Sequence, residues 1–509
     1  MNIDSRSHRR RTRLAAATMF IALTGCGGGG SSSAPTPPPP PPPPAVCNAT
    51  TITPYTSVGG TRAQTASVAA TTGTAVTLSP EPVAGGTWSW SGCGISGASR
   101  EQTFTPTATC TATVLHTNSC GSTSTQAFTV TFTPVQAGPY PNYNTSPAAP
   151  DSSGMPSTAM QLAAQFRLGW NFGNTLEAIG GETAWGNPLI SNELMALVKA
   201  NGVTAVRLPV SWNQYADQTT AAISPTWLAR VRQVVQYAVD NGLYILVNVH
   251  WDQGWLETHV TTADQVAVNH KQRAYWQQIA TTLRDFDEHV MFASANEPVA
   301  ENAEQMAVLL SYHQTFVDAV RETGGRNAYR VLVVQGPRTD IELSNSLWGA
   351  MPADTVANRQ MVEVHYYDPF NFTLMNQDEV WGNQHYYWGA PNQSTTDPTR
   401  NSTWGGEAHV DAKFALMKAK FVDQGIPVIL GEFAAMRRDS LTGADRDLHL
   451  QSRRYYHQYV VKSAVTNGLR PFFWDVGAFA GGVFDRANNT VADPAALLAL
   501  QQGAAGVAP

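Results

Sequence analysis

The chain has 509 residues and a formal net charge of −6 at pH 7, with 14% charged and 43% hydrophobic residues. A chain of this length is too long for one ordinary domain, and its apolar content is sufficient for a large core. Lysine and arginine form no cluster beyond the extreme N-terminus. Composition therefore argues against a nucleic acid as a partner.

The first residues have the pattern of an export signal. Several arginines precede the apolar stretch Leu14–Leu23, which is too short to span a bilayer as a stable helix. The stretch ends in Leu23–Cys26, which resembles the lipobox of bacterial lipoprotein signals. We predict a signal peptide over residues 1–25, lipidation of Cys26, and an exported protein of the cell envelope or exterior. The lipid would be its only contact with a membrane; plain secretion, with Cys26 incidental, is the alternative.

Composition divides the remainder into four parts. Residues 26–45 are rich in Gly, Ser and Pro, and the proline run predicts an extended tether. Residues 46–134, here called the N-terminal module, alternate β-branched and polar residues between Gly and Pro, which predicts a small β-sandwich. Residues 135–157 have the composition of a linker. The fourth and largest part, residues 158–505, is here called the third unit, because it follows the N-terminal signal with its tether and the N-terminal module.

The N-terminal module resembles the immunoglobulin-like modules attached to bacterial polysaccharide hydrolases. The segments that carry the resemblance are Gly86–Gly92 and Thr109–Leu115. Within the first, Trp88 and Trp90 lie two residues apart, so on a strand they share one face. That face is either the core of the sandwich, which we favour slightly, or a platform that stacks on sugars.

Cysteine is confined to the first quarter of the chain. Apart from Cys26, the cysteines all fall in the N-terminal module: Cys47, Cys93, Cys110 and Cys120. In an exported protein an even local set predicts two disulfides. Zinc binding is the alternative, although no Cys-x-x-Cys spacing supports it. Three pairings are possible, and the sequence does not choose among them.

The sequence pattern of the third unit predicts a (β/α)₈ barrel. Eight apolar, β-rich segments recur along it: Phe166–Trp170, Val203–Val210, Leu243–Trp251, Val290–Asn296, Tyr329–Gln335, Met361–Tyr367, Pro427–Phe433 and Pro471–Asp475. Such runs are typical of strands buried on both faces of a parallel sheet. Between two of them, Ser224 is expected to cap a helix that ends at Asn241-Gly242. A doubly wound open sheet is the alternative, but no Gly-rich phosphate loop follows the first strand.

Polar residues lie where these apolar runs stop. In a barrel the carboxyl ends of the strands form the face on which active sites are built. Six predicted strands supply such residues: Arg207, His250, Asn296 with Glu297, His365 with Tyr367, Glu432, and Trp474. Taken singly, an ion pair would explain the arginine and a structural hydrogen bond either histidine. Six strands that deliver polar or ring residues to one mouth favour a functional site.

The ordered set of motifs resembles the cellulase-type glycoside hydrolases of family 5. It runs through Gly169–Thr175, Val206–Val210, Asn248–His250, Asn296–Pro298, His365–Tyr367, Gly431–Phe433 and Phe473–Trp474. The resemblance spans the whole third unit and implies a barrel enzyme that cuts β-1,4-glucan chains. We expect it to work as a monomer, without metal or cofactor. One departure is Trp251, where many family members have a second histidine, so the shape of the subsites stays open.

The resemblance also implies residue roles. Glu297 is expected to be the acid/base and Glu432 the nucleophile of a retaining mechanism, whose carboxyl groups lie about 5–5.5 Å apart. We expect mutual repulsion to raise the pKa of Glu297 while Glu432 is ionised. The supporting roles are binding of the sugar 2-hydroxyl by Asn296, ionisation of Glu432 favoured by Arg207 and Tyr367, lining of the cleaved sugar's subsite by His250 and His365, and stacking by Trp474.

Two further features carry weaker predictions. Six other acids lie near strand ends or on early loops and are assigned no role. Glu363, Asp368 and Asp475 could support the site residues from behind, and Glu177, Glu182 and Glu257 could touch substrate hydroxyls. The segment Asp368–Glu407 is long, rich in aromatic residues and almost free of aliphatic ones. Loops of this length are uncommon unless functional. We predict that it lines the substrate cleft; a satellite core folded over the barrel is the alternative.

The sequence thus predicts a retaining endo-β-1,4-glucanase, or cellulase. One alternative is a family relative that acts on xyloglucan, mannan or mixed-linkage β-glucan. A second is a surface lipoprotein that binds glycan without cutting it. The pair Glu297 and Glu432 argues against the second, because a binder has no need of both carboxyl groups. Nothing in the sequence separates the candidate polymers.

Overall fold

The computed structural model describes residues 47–58, 61–71, 74–133 and 138–509. The predicted signal peptide and tether, including Cys26, lie outside these ranges, as does the start of the predicted linker. Within them, no helix combines the length and the apolar character needed to cross a bilayer.

The N-terminal module consists of β-strands. They are β1 (Thr56–Val58), β2 (Thr61–Ala63), β3 (Ser67–Thr71), β4 (Val76–Leu78), β5 (Gly86–Gly92), β6 (Gln102–Phe104), β7 (Cys110–Asn118) and β8 (Thr123–Thr133). They form two four-stranded sheets, in the orders β2-β1-β4-β6 and β3-β8-β7-β5. Both sheets contribute side chains to one apolar cluster. The all-β prediction is confirmed at this level, and the immunoglobulin-like assignment stays a prediction.

Trp88 and Trp90 lie inside this cluster. Their exposed fractions are 7% and 4%, and the indole nitrogen of Trp90 donates a hydrogen bond to the Ser99 carbonyl at 2.8 Å. The face that they share is therefore core, and the platform interpretation is wrong for these residues. The cysteines pair as Cys47–Cys120 and Cys93–Cys110.

A closed parallel barrel forms the third unit. Its strands are β9 (Gly169–Phe172), β10 (Ala205–Leu208), β11 (Tyr244–Asn248), β12 (Val290–Ala293), β13 (Leu332–Gln335), β14 (Gln360–His365), β15 (Val428–Phe433) and β16 (Arg470–Asp475). They close in chain order, with β16 pairing to β9. The barrel prediction is confirmed. Several predicted segments run past the observed strand ends, because the apolar pattern continues into the loops that carry the polar residues.

Helices alternate with the barrel strands. They are α1 (Ala159–Ala163), α2 (Asn192–Ala200), α3 (Pro225–Asp240), α4 (Gln265–Thr282), α5 (Ala303–Glu322), α6 (Ile341–Leu347), α7 (Phe370–Thr373), α8 (Glu407–Lys420), α9 (Gly443–Thr466) and α10 (Pro494–Ala504). A short hairpin, β17 (Phe484–Asp485) and β18 (Thr490–Val491), precedes α10.

The helix α3 shows how the sequence encodes one repeat. It begins after Ser224 with Pro225 in its first turn, as predicted, but the Ser224 side chain makes no capping hydrogen bond. Its buried residues from Trp227 to Ala238 form the stripe that packs on the barrel. The helix ends at Asp240, and Gly242 just beyond it has the left-handed φ of 63° that glycine adopts without strain. The strand β11 follows directly.

Part of the predicted linker packs on the outside of the barrel. The Tyr143 hydroxyl donates to the Thr220 carbonyl at 2.7 Å, and Ala148 forms a β-bridge with Gly324. The Ser157 hydroxyl donates to the Glu288 carboxylate at 2.8 Å. These contacts attach residues 143–157 to the barrel unit.

Candidate active site

The predicted polar residues converge at the carboxyl end of the barrel. Four lie within strands, on β10, β14, β15 and β16: Arg207, His365, Glu432 and Trp474. The others follow strand ends: His250, Asn296, Glu297 and Tyr367. The strand pairing aligns His365 with Glu432 across a register shift at the end of β14. One mouth therefore receives side chains from six strands.

The two predicted catalytic carboxyl groups face each other. Carboxylate oxygens of Glu297 and Glu432 and a ring nitrogen of His365 all lie within 4.8 Å of one another. A separation near 5 Å is typical of retaining glycosidases, whereas inverting enzymes keep roughly 6.5–9.5 Å for a water molecule. The Glu297 side chain is 44% exposed and that of Glu432 only 7%. One carboxyl group thus borders the open cleft and the other lies beneath it.

Donors hold both oxygens of Glu432. Arg207 Nη1 donates to Oε1 at 2.8 Å, and the Tyr367 hydroxyl donates to Oε2 at 3.0 Å. Burial raises the pKa of Glu432, while the positive charges of His365 and Arg207 oppose that rise. Burial also raises the pKa of Tyr367 well above its usual value, so this hydroxyl keeps its proton to donate. The geometry fixes the Glu432 oxygens in space.

Arg207 is fully buried and connects several site residues. Its Nη2 donates to Asn296 Oδ1 at 2.8 Å, and its Nε lies 2.8 Å from Glu363 Oε1. Burial alone would lower the pKa of Arg207, but the charges of Glu363 and Glu432 raise it. The guanidinium therefore stays charged. Because Asn296 accepts from Arg207 through its oxygen, its amide nitrogen is left to donate to substrate.

Glu363 supports the site, a role that the sequence allowed but did not assign. It is fully buried, contacts Arg207, lies 3.1 Å from His365 Nε2, and accepts a hydrogen bond from Gln335 at 2.6 Å. Gly431 leaves room for it, because a Cβ there would collide with the Glu363 carboxylate. A signal was present: Glu363 lies two residues before His365 on one strand, so both point to the same face.

His365 is the second positive charge of the site. Its Nδ1 lies 2.6 Å from Glu297 Oε1 and 3.7 Å from Glu432 Oε2. Burial would lower the pKa of His365, but the Glu432 charge and hydrogen bonds with Glu297 and Glu363 raise it to about 10. His365 is therefore protonated in the substrate-free site and donates to Glu297.

The predicted pKa order of the two glutamates is wrong for the substrate-free site. Burial pushes the pKa of Glu297 upward, but the hydrogen bond and charge of His365, helped by Arg207, leave it lowered. Repulsion from Glu432 does not prevail, because a cation lies closer to Glu297 than the second carboxylate does. In the substrate-free site the proton of the His365–Glu297 hydrogen bond therefore belongs to His365.

A flat wall lies beside the carboxyl groups. The rings of His250 and Trp474 stack at 5.6 Å between centroids with an interplanar angle of 7°. Burial and the charges of Arg207 and His365 lower the pKa of His250 well below its usual value, so its ring is neutral. A Cβ at Gly173 would lie 2.9 Å from the Trp474 indole, so glycine lets β9 approach that ring.

Glu257 is buried behind Glu297. Its Oε1 accepts from the Asn296 backbone N–H at 2.9 Å, and its own carbonyl accepts from the Val299 N–H at 2.8 Å. Its Oε2 is buried without a hydrogen-bond partner. Glu257 thus holds both sides of the segment that carries Glu297, and does not lie on the cleft surface.

The other early or strand-end acids have structural contacts. Glu177 accepts from the Thr175 N–H at 2.8 Å, and Glu182 pairs with Arg230 at 2.8 Å. Asp475 accepts from the Trp170 indole and from the Val483 N–H. We therefore assign these three acids structural roles and no contact with substrate.

The segment Asp368–Glu407 is partly buried and partly exposed. Three of its aromatic residues are buried, Phe372, Tyr387 and Trp388, and Phe372 and Trp388 join the main apolar cluster of the barrel instead of forming a separate satellite core. Three others are 43–65% exposed: Phe370, Trp381 and Trp404. A pocket of about 340 Å³, here called the adjoining pocket, connects Phe370 to Glu297. The cleft-lining prediction therefore holds for part of the loop only.

The site residues do not make a convincing metal centre. Within the described ranges, the group with suitable spacing is Glu297, His365 and Glu432. Arg207 and Tyr367 already donate to the oxygens of Glu432, and the guanidinium charge opposes a divalent ion. These donors stabilise ionised carboxylates, and they occupy the oxygens that a bound cation would need.

The comparison with known families agrees with this geometry. The family model "Cellulase (glycosyl hydrolase family 5)" matches residues 171–480. The chain belongs to glycosyl hydrolase family 5. The matched range contains both facing glutamates and every residue of the surrounding network, so the family-5 resemblance of the motifs is confirmed.

Family-5 relatives are similar over most of the chain. A xyloglucan-specific endo-β-1,4-glucanase of Bacteroides ovatus is 38% identical over 373 residues, which are 70% of this chain and 72% of that protein. Endoglucanase A of Paenibacillus barcinonensis is 36% identical over 72% of this chain and 94% of its own. The solved structure of a Bacteroides ovatus family-5 xyloglucanase with a XXXG heptasaccharide gives a TM-score of 0.68 at 31% identity, covering 88% of this chain and 100% of that one.

Proposed function

We propose that the protein is a retaining endo-β-1,4-glucanase. The observation that carries the proposal is the pair Glu297 and Glu432, whose carboxylate oxygens lie within 4.8 Å of each other. Two carboxyl groups at this spacing suit double displacement at one anomeric carbon. Arg207 and Tyr367 hold the deeper carboxylate as the nucleophile, and the cleft-bordering Glu297 is the acid/base.

The first step forms a glycosyl ester. A Glu432 oxygen attacks the anomeric carbon of the sugar that lies against Trp474, while Glu297 gives a proton to the departing glycosidic oxygen. The bond to the leaving chain breaks with its electron pair on that oxygen. In the second step Glu297 takes a proton from water, and the water oxygen attacks the same carbon and releases Glu432. Two inversions give net retention.

Substrate binding supplies the acid with its proton. A sugar in the cleft replaces the water around Glu297, and loss of that water raises the pKa of the carboxyl group. His365 lies 2.6 Å away and holds the proton in the substrate-free site. Transfer along this hydrogen bond makes Glu297 the acid and leaves His365 neutral. The pair therefore titrates as a unit.

Xyloglucan is the second candidate substrate, favoured by one specific observation. The relatives described above include a xyloglucan-specific endo-β-1,4-glucanase and a solved xyloglucanase. Xyloglucan has a β-1,4-glucan backbone, so the same carboxyl pair serves both candidates. We therefore place xyloglucan first among the β-1,4-glucans to be tested.

The test is release of reducing ends from a panel of xyloglucan, carboxymethylcellulose, mixed-linkage β-glucan and mannan. We expect the wild-type protein to cut at least one of the β-1,4-glucans internally, with a rapid fall in viscosity, and Glu432→Ala to cut none. Highest activity on xyloglucan would support the second candidate. No activity on any β-glucan, or activity on mannan alone, would contradict the proposal.

We also propose that the protein is exported and attached by lipid at Cys26. The support is the lipobox-like Leu23–Cys26 followed by the Gly/Ser/Pro tether. The full chain expressed in a bacterium with a lipoprotein pathway should fractionate with membranes, and Cys26→Ser should move its activity to the soluble fraction. A wild-type protein found entirely in the soluble fraction would overturn this proposal.

A further inference from the structure

The segment that carries Glu297 continues beyond the end of its barrel strand. The strand β12 ends at Ala293, whose partner on β13 is Val333. Residues 295–300 then have irregular backbone, without helix or strand. Buried backbone N–H groups need hydrogen-bond acceptors even where no neighbouring strand supplies them. The position of Glu297 therefore depends on the groups that pair with this irregular segment.

Side chains supply acceptors that a neighbouring strand would otherwise provide. Gln335 Oε1 accepts from the Ala295 N–H at 2.8 Å, and Glu257 Oε1 accepts from the Asn296 N–H at 2.9 Å. Both of these acceptor side chains are buried. Glu257 is thus the acceptor for the backbone of the residue directly before Glu297.

Glu257 contacts the same segment at a second point. Its own backbone carbonyl accepts from the Val299 N–H at 2.8 Å, two residues after Glu297. The Glu297 side chain is 44% exposed, so close packing does not fix it. Its position therefore depends on these backbone contacts and on the hydrogen bond with His365.

The loop that supplies Glu257 is itself fixed. Trp255 and Leu256, which directly precede Glu257, are buried in the main apolar cluster of the barrel. The N–H and the hydroxyl of Thr258 both donate to the Gly254 carbonyl, at 3.2 Å and 2.9 Å. A side chain can position another group only when its own place is set by packing and hydrogen bonds. Glu257 meets that condition, because the residues on either side of it are anchored.

The Glu257 carboxyl group is buried away from the cleft. It is 2% exposed, its Oε2 has no hydrogen-bond partner among the described residues, and it does not line the adjoining pocket. Burial and the Glu297 charge raise the pKa of Glu257 to about 8, against the backbone N–H groups of Asn296 and Glu297 and the charge of His365. Glu257 is therefore a neutral acid at pH 7, and it adds no charge beside Glu297.

A leucine at position 257 would fill similar space without burying an unpaired oxygen. Because a buried polar atom without a partner costs free energy, the carboxyl group needs a compensating role. Its hydrogen bond with the Asn296 N–H is the contact that leucine would lose. This contact is therefore the feature through which the Glu257 side chain acts.

We propose that Glu257 is a positioning residue whose carboxyl group, through the Asn296 N–H, places Glu297 against the departing glycosidic oxygen. The proposal rests on the function proposed above, and it adds to the first step a residue that touches neither substrate nor reacting atoms. Displacement of a catalytic group by about 1 Å can lower a rate by on the order of 10²-fold. Loss of the Asn296 contact should therefore slow proton transfer from Glu297 without abolishing attack by Glu432.

Two variants separate the acceptor from the bulk of the side chain. Glu257→Gln keeps an acceptor oxygen and a neutral group, and should retain kcat/KM on a glucan oligosaccharide within about threefold at pH 6. Glu257→Leu removes the acceptor at similar volume, and should lower kcat/KM by on the order of 10²-fold. The Asn296 side chain is held separately by Arg207 at 2.8 Å, so its contact with the sugar should persist in both variants.

A second substrate shows which part of the reaction is damaged. The leaving group of a dinitrophenyl β-cellobioside needs little acid assistance, and kcat/KM on this substrate measures the first step. Glu257→Leu should lower this value by less than about fivefold. A misplaced acid gives this contrast between the two substrates, whereas a general loss of packing would lower both values alike.

Glu177→Leu is the matched control. It removes another buried carboxyl group that accepts from a backbone N–H, that of Thr175 at 2.8 Å, on the loop after β9. Any loss of activity in this variant should be equal on the two substrates, so that the ratio of the two kcat/KM values stays within about twofold of wild type.

Four results would overturn the inference. They are unchanged activity of Glu257→Leu on the oligosaccharide, equal losses on both substrates in that variant, equal damage from Gln and Leu, and the same substrate contrast in Glu177→Leu. Failure of the proposed function looks different, because the wild-type protein itself would then cut no β-glucan.

Melting temperatures show whether each variant is folded. If Glu257→Leu does not fold, Glu257→Asp is the deciding variant, because its shorter side chain draws the acceptor away from the Asn296 N–H. It should lower kcat/KM by about tenfold on the oligosaccharide and by less than about twofold on the dinitrophenyl glycoside. Equal losses on the two substrates, or no loss on either, would contradict the positioning role.

Discussion

The N-terminal module and the barrel place the same residue types in opposite positions. In the module Trp88 and Trp90 point inward and are 7% and 4% exposed. In the barrel Trp251 and Trp381 stand at the loop rim with 47% and 65% of their surface exposed. Tryptophan content alone therefore does not indicate a sugar-binding face. The distinguishing feature is whether the surrounding fold leaves the ring exposed, since Trp388 lies on a loop and is fully buried, whereas Trp474 lies within a strand and borders the cleft.

The two regions also differ in the surroundings that they give to polar and charged side chains. The strands of the module have one face on a core and one in water, so polar side chains need no special partners. Barrel strands are buried on both faces, and the charges that they carry must pair with one another. Arg207 and Glu363 are both fully buried and lie 2.8 Å apart. The candidate active site is therefore continuous with the network of buried, paired charges inside the barrel.

The largest predicted effect is loss of the nucleophile. Glu432→Ala should lower turnover on every substrate by on the order of 10⁴-fold or more, and azide should restore activity with an inverted product. Glu297→Ala should spare the first step on an aryl glycoside with a good leaving group, and azide should then give a retained product. Identical behaviour of the two variants would remove the distinction between their roles.

A loss of stability should follow removal of a buried partner in the barrel. Glu363→Ala leaves the Arg207 charge without its Nε contact and should lower the free energy of unfolding by about 3–5 kcal/mol. Asp285→Ala, which breaks the exposed pair with Arg232, should cost less than about 1 kcal/mol. Urea unfolding followed by tryptophan fluorescence measures both. Equal losses of unfolding free energy in the two variants would show that burial does not decide how strongly an ion pair stabilises this protein.

A shift in pH dependence should follow removal of the His365 charge. That charge lowers the pKa of both Glu297 and Glu432, so His365→Asn should raise both. The acid limb of the kcat/KM profile, set by Glu432, should then move upward by about one pH unit, whereas the alkaline limb should move downward because His365 no longer holds the proton for Glu297. His250→Asn is the control, because His250 is neutral already and its loss should not move either limb. An acid limb that is unmoved or moves downward in His365→Asn would contradict the assigned charge.

The smallest effect is expected from deletion of the module. A chain that begins at Gly138 keeps the segment that packs on the barrel and should hydrolyse soluble oligosaccharides within about twofold of the full chain. The site residues all lie within the barrel unit, which is the reason for this expectation. A loss of tenfold or more at unchanged melting temperature would show that the module contributes to the site.

The barrel and the facing glutamates were predictable because they leave linear signals. Apolar runs of strand length encode the eight strands, and short motifs at their ends carry Glu297 and Glu432. The pKa order was not predictable, because it depends on the 2.6 Å contact between His365 and Glu297, which no spacing encodes. The contact of Glu257 was not predictable for a similar reason, because its carboxylate accepts a hydrogen bond from the Asn296 backbone N–H on a different loop.

The stereochemistry of the first product tests the central claim most directly. Proton NMR of a β-linked glucan oligosaccharide during the first minutes of hydrolysis shows the anomeric configuration before mutarotation. Facing carboxylates within 4.8 Å predict an initial β-product, formed through the ester on Glu432. An initial α-product would contradict the retaining mechanism and the nucleophile role of Glu432 with it.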